Sequence, residues 1–201
     1  MILVTGAARS GTSLTTAVLE ACGAKLGETN GNKENVAVRD EVLKPYLISL
    51  GADPMGQNPL PPKDAHLSDS MFRIRVEHRL DGANCYKDAK IILCPKIWQE
   101  SFPYAKWVLV RRNIDDIARS CVNTQFMKKL KIHEEWKNWA HEHQNRMDEL
   151  EEDLKGQAIS VWPHKAIHYS IDEFRRIIDF CNLTWDADAV RNIINPNRWH
   201  A

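Results

Sequence analysis

Two short stretches carry residue types able to hold phosphate. The first, GAARSGTS (Gly6 to Ser13), follows the apolar run Ile2 to Val4 and leads into Leu14, Val18 and Leu19 at helical spacing. A glycine turn between strand and helix points backbone N–H groups inward and adds the positive end of the helix dipole, which suits an anion. The stretch approaches the G-x-x-x-x-G-K-[ST] pattern of ATP-binding loops, but Thr12 stands at the lysine position, so the charge that bridges β- and γ-phosphates is missing. Arg9 supplies a positive charge three residues earlier, and Ser10, Thr12 and Ser13 supply hydroxyl donors around Gly11. That set suits a single 5′-phosphate.

The second stretch is KWVLVRRNIDDIARSC, Lys106 to Cys121. An arginine at the carboxyl end of a strand offers a fork of donors to phosphate, and a serine on the following helix closes the site from its other side. Arg112 and Ser120, eight positions apart, fit that geometry. Arg111 offers the same charge, but moving the register by one residue spoils the serine spacing. Together the two stretches resemble the sulfotransferases that use 3′-phosphoadenosine 5′-phosphosulfate (PAPS). In that family the loop reads K/R-S-G-T-[TS] and the second motif R-[ND]-x-x-D-[VIA]-x-x-S. The resemblance implies that Arg9 contacts the oxygen bridging to the sulfuryl group, within a donor site formed by Arg9, Ser10, Gly11, Thr12 and Ser13. It implies that Arg112 and Ser120 grip the 3′-phosphate, which also stays on the product, 3′-phosphoadenosine 5′-phosphate (PAP).

The resemblance extends more weakly over nearly the whole chain. ILCPKIWQESFPYAKW (Ile92 to Trp107) resembles the family's segment in which a basic residue follows a strand, which assigns Lys96 to the sulfuryl oxygens. HYSIDEFRRIIDFCNLTW (His168 to Trp185) is similar to its strand-then-helix segment. The family's C-terminal R-K-G loop is absent, leaving Arg191 and Arg198 as basic residues for the 3′-phosphate side. Sulfuryl transfer needs a base and no metal, and the family uses glutamate or histidine. Glu34, before Asn35, holds the glutamate place, and His66, at the end of the proline-rich loop, is its rival. His141 with His143 and His164 with His168 lack acidic or cysteine companions at ligand spacing, and read as helix and loop surface residues rather than metal ligands.

Several elements must position these residues. Strands are expected at Ile2 to Val4, KIILC (Lys90 to Cys94), KWVLV (Lys106 to Val110), AISVW (Ala158 to Trp162) and KAIHY (Lys165 to Tyr169). Helices are expected over Thr12 to Cys22, Glu34 to Leu50, Ser68 to Leu80, and from Ile114, capped by Asn113, towards Lys128. A longer helix carries Trp136, Trp139, His143, Met147, Leu150 and Leu154 as a core stripe, and a capping box at Ser170 to Glu173 precedes another. GADPMGQNPLPPK (Gly51 to Lys63), with four prolines and two glycines, reads as an exposed loop of the kind that shapes pockets. The pattern gives an α/β, P-loop-type layered fold, a central, mainly parallel sheet flanked by helices, in a single domain spanning residues 1–201.

Lys+Arg and Asp+Glu are equal at 27 each, so no global field recruits nucleic acid or an anionic membrane. The five cysteines are scattered, with no C-x-x-C, and read as reduced core thiols. No apolar run suits a membrane span or signal peptide, so a cytoplasmic location is expected. The acceptor is expected to be a small molecule, a glycan or a lipid. Two other functions compete: a P-loop kinase, which needs a lysine at position 12 and an aspartate at a strand end for Mg²⁺, and a degenerate protein that binds nucleotide without catalysis.

Overall fold

The computed structural model describes residues 1–194. Four strands, β1 (Ile2–Thr5), β2 (Cys85–Lys87), β3 (Lys106–Val110) and β4 (Ala158–Val161), form one parallel sheet in the order β2-β1-β3-β4. Leu3 pairs with Tyr86 on one side and Trp107 on the other. Successive side chains alternate between faces, and both faces are apolar. Leu3, Tyr86, Trp107 and Leu109 enter one core, whereas Ile2, Val4, Cys85, Val108 and Val110 enter the other. Helices must therefore cover the sheet twice.

Helix α1 (Thr12–Ala21) packs on the second face. The first face receives α2 (Val36–Val38), α3 (Lys44–Ser49), α4 (Phe72–Leu80) and α5 (Pro95–Ser101). Helix α6 (Ile114–Val122) then packs on α7 (His133–Asp153) through Ile117, Ala118, Cys121, Trp136, Trp139 and Ala140. Helices α8 (Pro163–His168), α9 (Asp172–Phe180) and α10 (Ala187–Ile193) return to the second face. This is the expected α/β architecture, with a central parallel sheet between helical layers.

Several local expectations are corrected. KIILC is not a strand but part of a 3₁₀ segment, Ala89–Leu93, started by Asp88, whose Oδ1 accepts from Lys90 N at 2.8 Å. An apolar run buried on all sides fits either state by pattern alone. The strand lies upstream in the three residues Cys85–Lys87. KAIHY falls in α8, whose first residue is Pro163, a helix-starting position. The helix expected over Glu34 to Leu50 is interrupted by a wider π turn, Arg39–Leu43, before Lys44–Ser49. Pro45 has no N–H to return to Glu41 and its ring presses on that carbonyl, which the wider turn relieves. Helix α4 begins at Phe72 rather than Ser68, and α6 stops at Val122. Asn113 does cap α6, its Oδ1 accepting from Asp115 N and Asp116 N at 2.9 and 3.3 Å.

The proline-rich loop is not a free surface loop. Gln57, 3% exposed, donates Nε2 to the Phe126 carbonyl and accepts at Oε1 from Lys128 N and Lys129 N. Trp139 Nε1 donates to the Gly56 carbonyl at 3.1 Å, and Arg146 donates to that of Pro61 at 2.7 Å. All five cysteines are buried free thiols.

Candidate active site

The sheet order makes the site. From β1 the chain crosses to β2 on one side, then back to β3 on the other, so the carboxyl ends of β1 and β3 flank a crevice. The loop Gly6 to Gly11 leaves β1, and Arg112 follows β3. Gly6 lets the two ends touch: a Cβ there would lie 2.3 Å from the Val110 carbonyl oxygen. Gly11, at φ 103°, caps α1 in a left-handed conformation that glycine adopts without strain. Helix α1 has no acidic residue in its first turn and no side-chain cap, so its first N–H groups and its dipole remain open to an anion.

Arg9 also adopts a left-handed backbone, at φ 71°, and its Nε donates to Ser120 Oγ at 2.9 Å. Arg112 NH1 donates to the Arg9 carbonyl at 3.0 Å, and Gln144 Nε2 holds the Arg112 carbonyl at 2.8 Å. The two sequence motifs thus meet through Arg9. Burial lowers the Arg112 pKa from its ordinary value. Arg111, its neighbour, points elsewhere: it donates to Ser160 Oγ, Asp148 Oδ1 and Glu151 Oε2 at 2.7, 2.6 and 2.7 Å.

A cleft of about 300 Å³ opens from the loop and is lined by Arg9, Thr12, Ser13, Glu34, Lys87 and His143, among others. Glu34 sits opposite the loop after β1, with Lys87 Nζ 3.1 Å from Oε1 and Arg39 NH1 3.1 Å from Oε2. Burial works to raise the Glu34 pKa, but the charges of Lys87 and Lys90 and the hydrogen bonds from Lys87 and Arg39 outweigh it, leaving it below the usual carboxylate value. Ser13 Oγ donates to the Asn32 carbonyl at 3.0 Å. Ser10 is sealed beneath the loop, its N–H donating to the Ala7 carbonyl at 3.1 Å and its hydroxyl buried without a partner among the described residues.

Other sequence candidates lie apart. Lys96 is exposed on α5 and lines a different cavity with Lys63, Gln99 and Arg146, so the reading that places it at the sulfuryl group is corrected. That reading placed the strand at Lys90 to Cys94; the strand that ends at the site finishes at Lys87, which is 4% exposed. Lys87 Nζ reaches Asn32 O at 3.1 Å and Ser13 Oγ at 3.4 Å, beside the start of α1. A three-residue strand gives no periodicity by which to find it. His66 is also outside the cleft, its Nδ1 3.4 Å from the Tyr46 hydroxyl and its Nε2 3.1 Å from Glu100 Oε2. Arg191 pairs with Asp188 at 3.0 Å, and Arg198 lies outside the described residues. His143, expected at the surface by its H-x-H spacing, is buried and lines the cleft.

Among the described residues no group of three His, Cys, Asp or Glu is arranged to hold a metal ion, and no helix is long and apolar enough to cross a membrane. Asp88, directly after β2, is the strand-end aspartate that a kinase would need, but it is fully buried and paired with Lys90 Nζ at 2.7 Å.

No protein-family model matches the chain, and no curated protein is similar to it in sequence. Solved structures are similar. The sulfotransferase domain from the curacin biosynthetic pathway matches with a TM-score of 0.59 at 12% identity, over 94% of this chain and 76% of that one. Sulfotransferase STF9 from Mycobacterium avium matches with 0.53 at 14% identity, over 96% of this chain and 66% of that one. Sulfotransferase STF1 from Mycobacterium tuberculosis H37Rv matches with 0.50 at 12% identity, over 99% and 71%. The chain has the sulfotransferase fold.

Proposed function

We propose that this protein is a sulfotransferase that moves a sulfuryl group from PAPS to a hydroxyl or amine of a small-molecule, glycan or lipid acceptor. The observation that carries the reading is the junction at Arg9, which joins the loop after β1 to Ser120 and Arg112 after β3. A nucleotide with phosphates at both its 5′ and 3′ positions has a use for both halves; ATP has no group for the second.

The residues present fit that donor. The open N-terminus of α1, with the backbone of Gly11 to Ser13, suits the 5′-phosphate, and Arg112 with Ser120 suits the 3′-phosphate. PAPS supplies an activated sulfuryl group on a phosphate leaving group. Negative charge grows on that phosphate during transfer, and fixed cations in a water-poor cleft stabilise it without reorganising. Arg9 and Lys87 are those cations. Glu34 holds Lys87 in place by a 3.1 Å ion pair.

Incubation with ³⁵S-labelled PAPS and fractionated metabolite pools tests the reading. The expected result is label moving to a new small molecule in a reaction that needs Arg9 and Lys87. Transfer of label from γ-³²P-ATP with none from PAPS would restore the kinase, and binding of PAP without any transfer would favour the degenerate binding protein.

A further inference from the structure

The segment that joins α6 to α7, QFMKKLKI (Gln125 to Ile132), has no task in the scheme above. Its backbone is held from within the protein. Gln57 binds the Phe126 carbonyl and the N–H groups of Lys128 and Lys129, Met127 is buried, and Met127 N donates to the Thr124 carbonyl at 3.0 Å. Glu135 Oε2 accepts from Lys131 N and Ile132 N at 2.7 and 3.2 Å. The side chains left in water are of two kinds. Lys128, Lys129 and Lys131 are exposed, and so are the apolar Phe126 and Ile132, with Val122 at the end of α6.

Both kinds lack a partner of their own chemistry. Lys137 pairs with Asp115, but none of the three lysines of the segment has a carboxylate at ion-pair distance among the described residues. Lys131 Nζ donates instead to the Lys128 carbonyl at 2.9 Å. Glu134 and Glu135 border the segment in the first turn of α7, and Glu135, which feels the Lys131 charge, is hydrogen-bonded to backbone N–H groups. The exposed apolar side chains edge two openings. Met55 and Phe126 line the cleft, and Val122 and Leu130, with Lys128 and Lys131, line a separate hollow of about 370 Å³. Met127 is a wall of both, so the lysines, Val122 and Phe126 border one continuous surface at the cleft mouth.

We propose that this surface docks the protein on a membrane rich in anionic lipid, with the lysines at the lipid phosphates and Val122 and Phe126 in the headgroup layer. Docking of this kind is independent of the transfer reading. The whole chain has no net charge, so the attraction is local to the segment and acts within about 10 Å at ordinary ionic strength. Each lysine beside an anionic bilayer, and each apolar side chain that leaves water there, adds its own increment, so a short segment is enough. A specific protein interface takes roughly 20–30 residues a side, far more than this segment supplies. A soluble polyanion would occupy the lysines and leave Val122 and Phe126 in water.

Cosedimentation with vesicles tests it, using phosphatidylcholine alone and an equal mixture of phosphatidylcholine and phosphatidylglycerol. The expected result is ~10²-fold stronger partition of the wild type onto the mixed vesicles, weakened by added salt. A variant combining Lys128→Gln, Lys129→Gln and Lys131→Gln is expected to lose that preference, and Phe126→Ser to bind the mixed vesicles several-fold more weakly. All four side chains are exposed, so both variants are expected to melt near the wild-type midpoint. Equal partition of the wild type onto both kinds of vesicle overturns the proposal, as does a triple variant that keeps the preference. A dimer in solution that Phe126→Ser breaks, with no vesicle binding, also overturns it and assigns the surface to a second copy. Failure of the wild type to bind PAP, with vesicle binding intact, removes the donor reading and leaves this surface standing.

Discussion

Arg111 and Arg112 are adjacent, equally charged and both largely buried, yet their surroundings separate their tasks. Arg111 is held by Ser160, Asp148 and Glu151 and ties β4 to α7. Arg112 turns to the loop after β1, where it donates to the Arg9 carbonyl. Hydrogen bonds to a charged group contribute about 1.5–3 kcal/mol, so Arg112→Ala or Ser120→Ala is expected to cut the preference for PAP over AMP by ~10- to 100-fold. Arg111→Ala is expected to lower stability and keep the preference. Titration calorimetry with both nucleotides separates the cases, and equal loss of both in Arg112→Ala would remove it from the 3′-phosphate. Glu34 gives a second test at this scale. Its folded pKa lies below the unfolded value, so its stabilising contribution is full above the unfolded pKa and is lost as pH falls through the folded one. Glu34→Gln is expected to lose stability at neutral pH and to flatten the acid side of the stability profile, as followed by chemical denaturation. The register of Arg112 and Ser120 was legible because both partners sit in one short motif. The Lys87–Glu34 pair joins residues 53 apart and leaves no such mark.

At the scale of elements, two loops form one wall of the cleft and are locked to each other. Gln57 alone serves three backbone groups of the segment around residues 126–129. Gln57→Ala removes those bonds, and a loss of about 0.5–1.5 kcal/mol per hydrogen bond is the expected scale. Gly56 is fixed more sharply, because it has φ 71° and a Cβ there would lie 2.9 Å from Lys90 Cγ. Gly56→Ala is expected to cost about 1–2 kcal/mol from backbone strain alone and to displace Lys90 from the cleft. A thermal melt checks both, and an unchanged midpoint in either variant would mean that the loops are not locked as described. The proline and glycine content of this stretch did mark a pocket-shaping loop, but its burial arises from Gln57 and Trp139 contacts across more than 60 residues. Lys96 failed for a related reason. Its place was inferred from a strand assigned to KIILC, and tertiary packing turned that apolar run into a helical segment.

At the scale of the whole molecule, the parallel order β2-β1-β3-β4 explains why residues 103 and 111 positions apart meet at one crevice. The alternation of helices with apolar runs made the layered fold legible, although the strand order lies outside any local pattern. The fold also carries a pH response. His143 has an ordinary pKa of 6.5 and a folded value of about 4, so the unfolded chain binds the extra proton first. Stability is expected to fall as pH drops from about 6.5 towards 4, and His143→Gln is expected to flatten that slope in denaturant titrations. On the proposed function, the paired motifs hold a nucleotide bearing phosphates at both the 5′ and 3′ positions. Thermal denaturation with PAP, AMP, or ATP plus Mg²⁺ tests it most directly. Ligand at ~100 times its Kd adds about 2.7 kcal/mol, which corresponds to a rise of roughly 5–10 °C for a chain of this size. That rise is expected for PAP without Mg²⁺ and a much smaller one for AMP and ATP; a larger rise with ATP and Mg²⁺ would overturn the donor assignment.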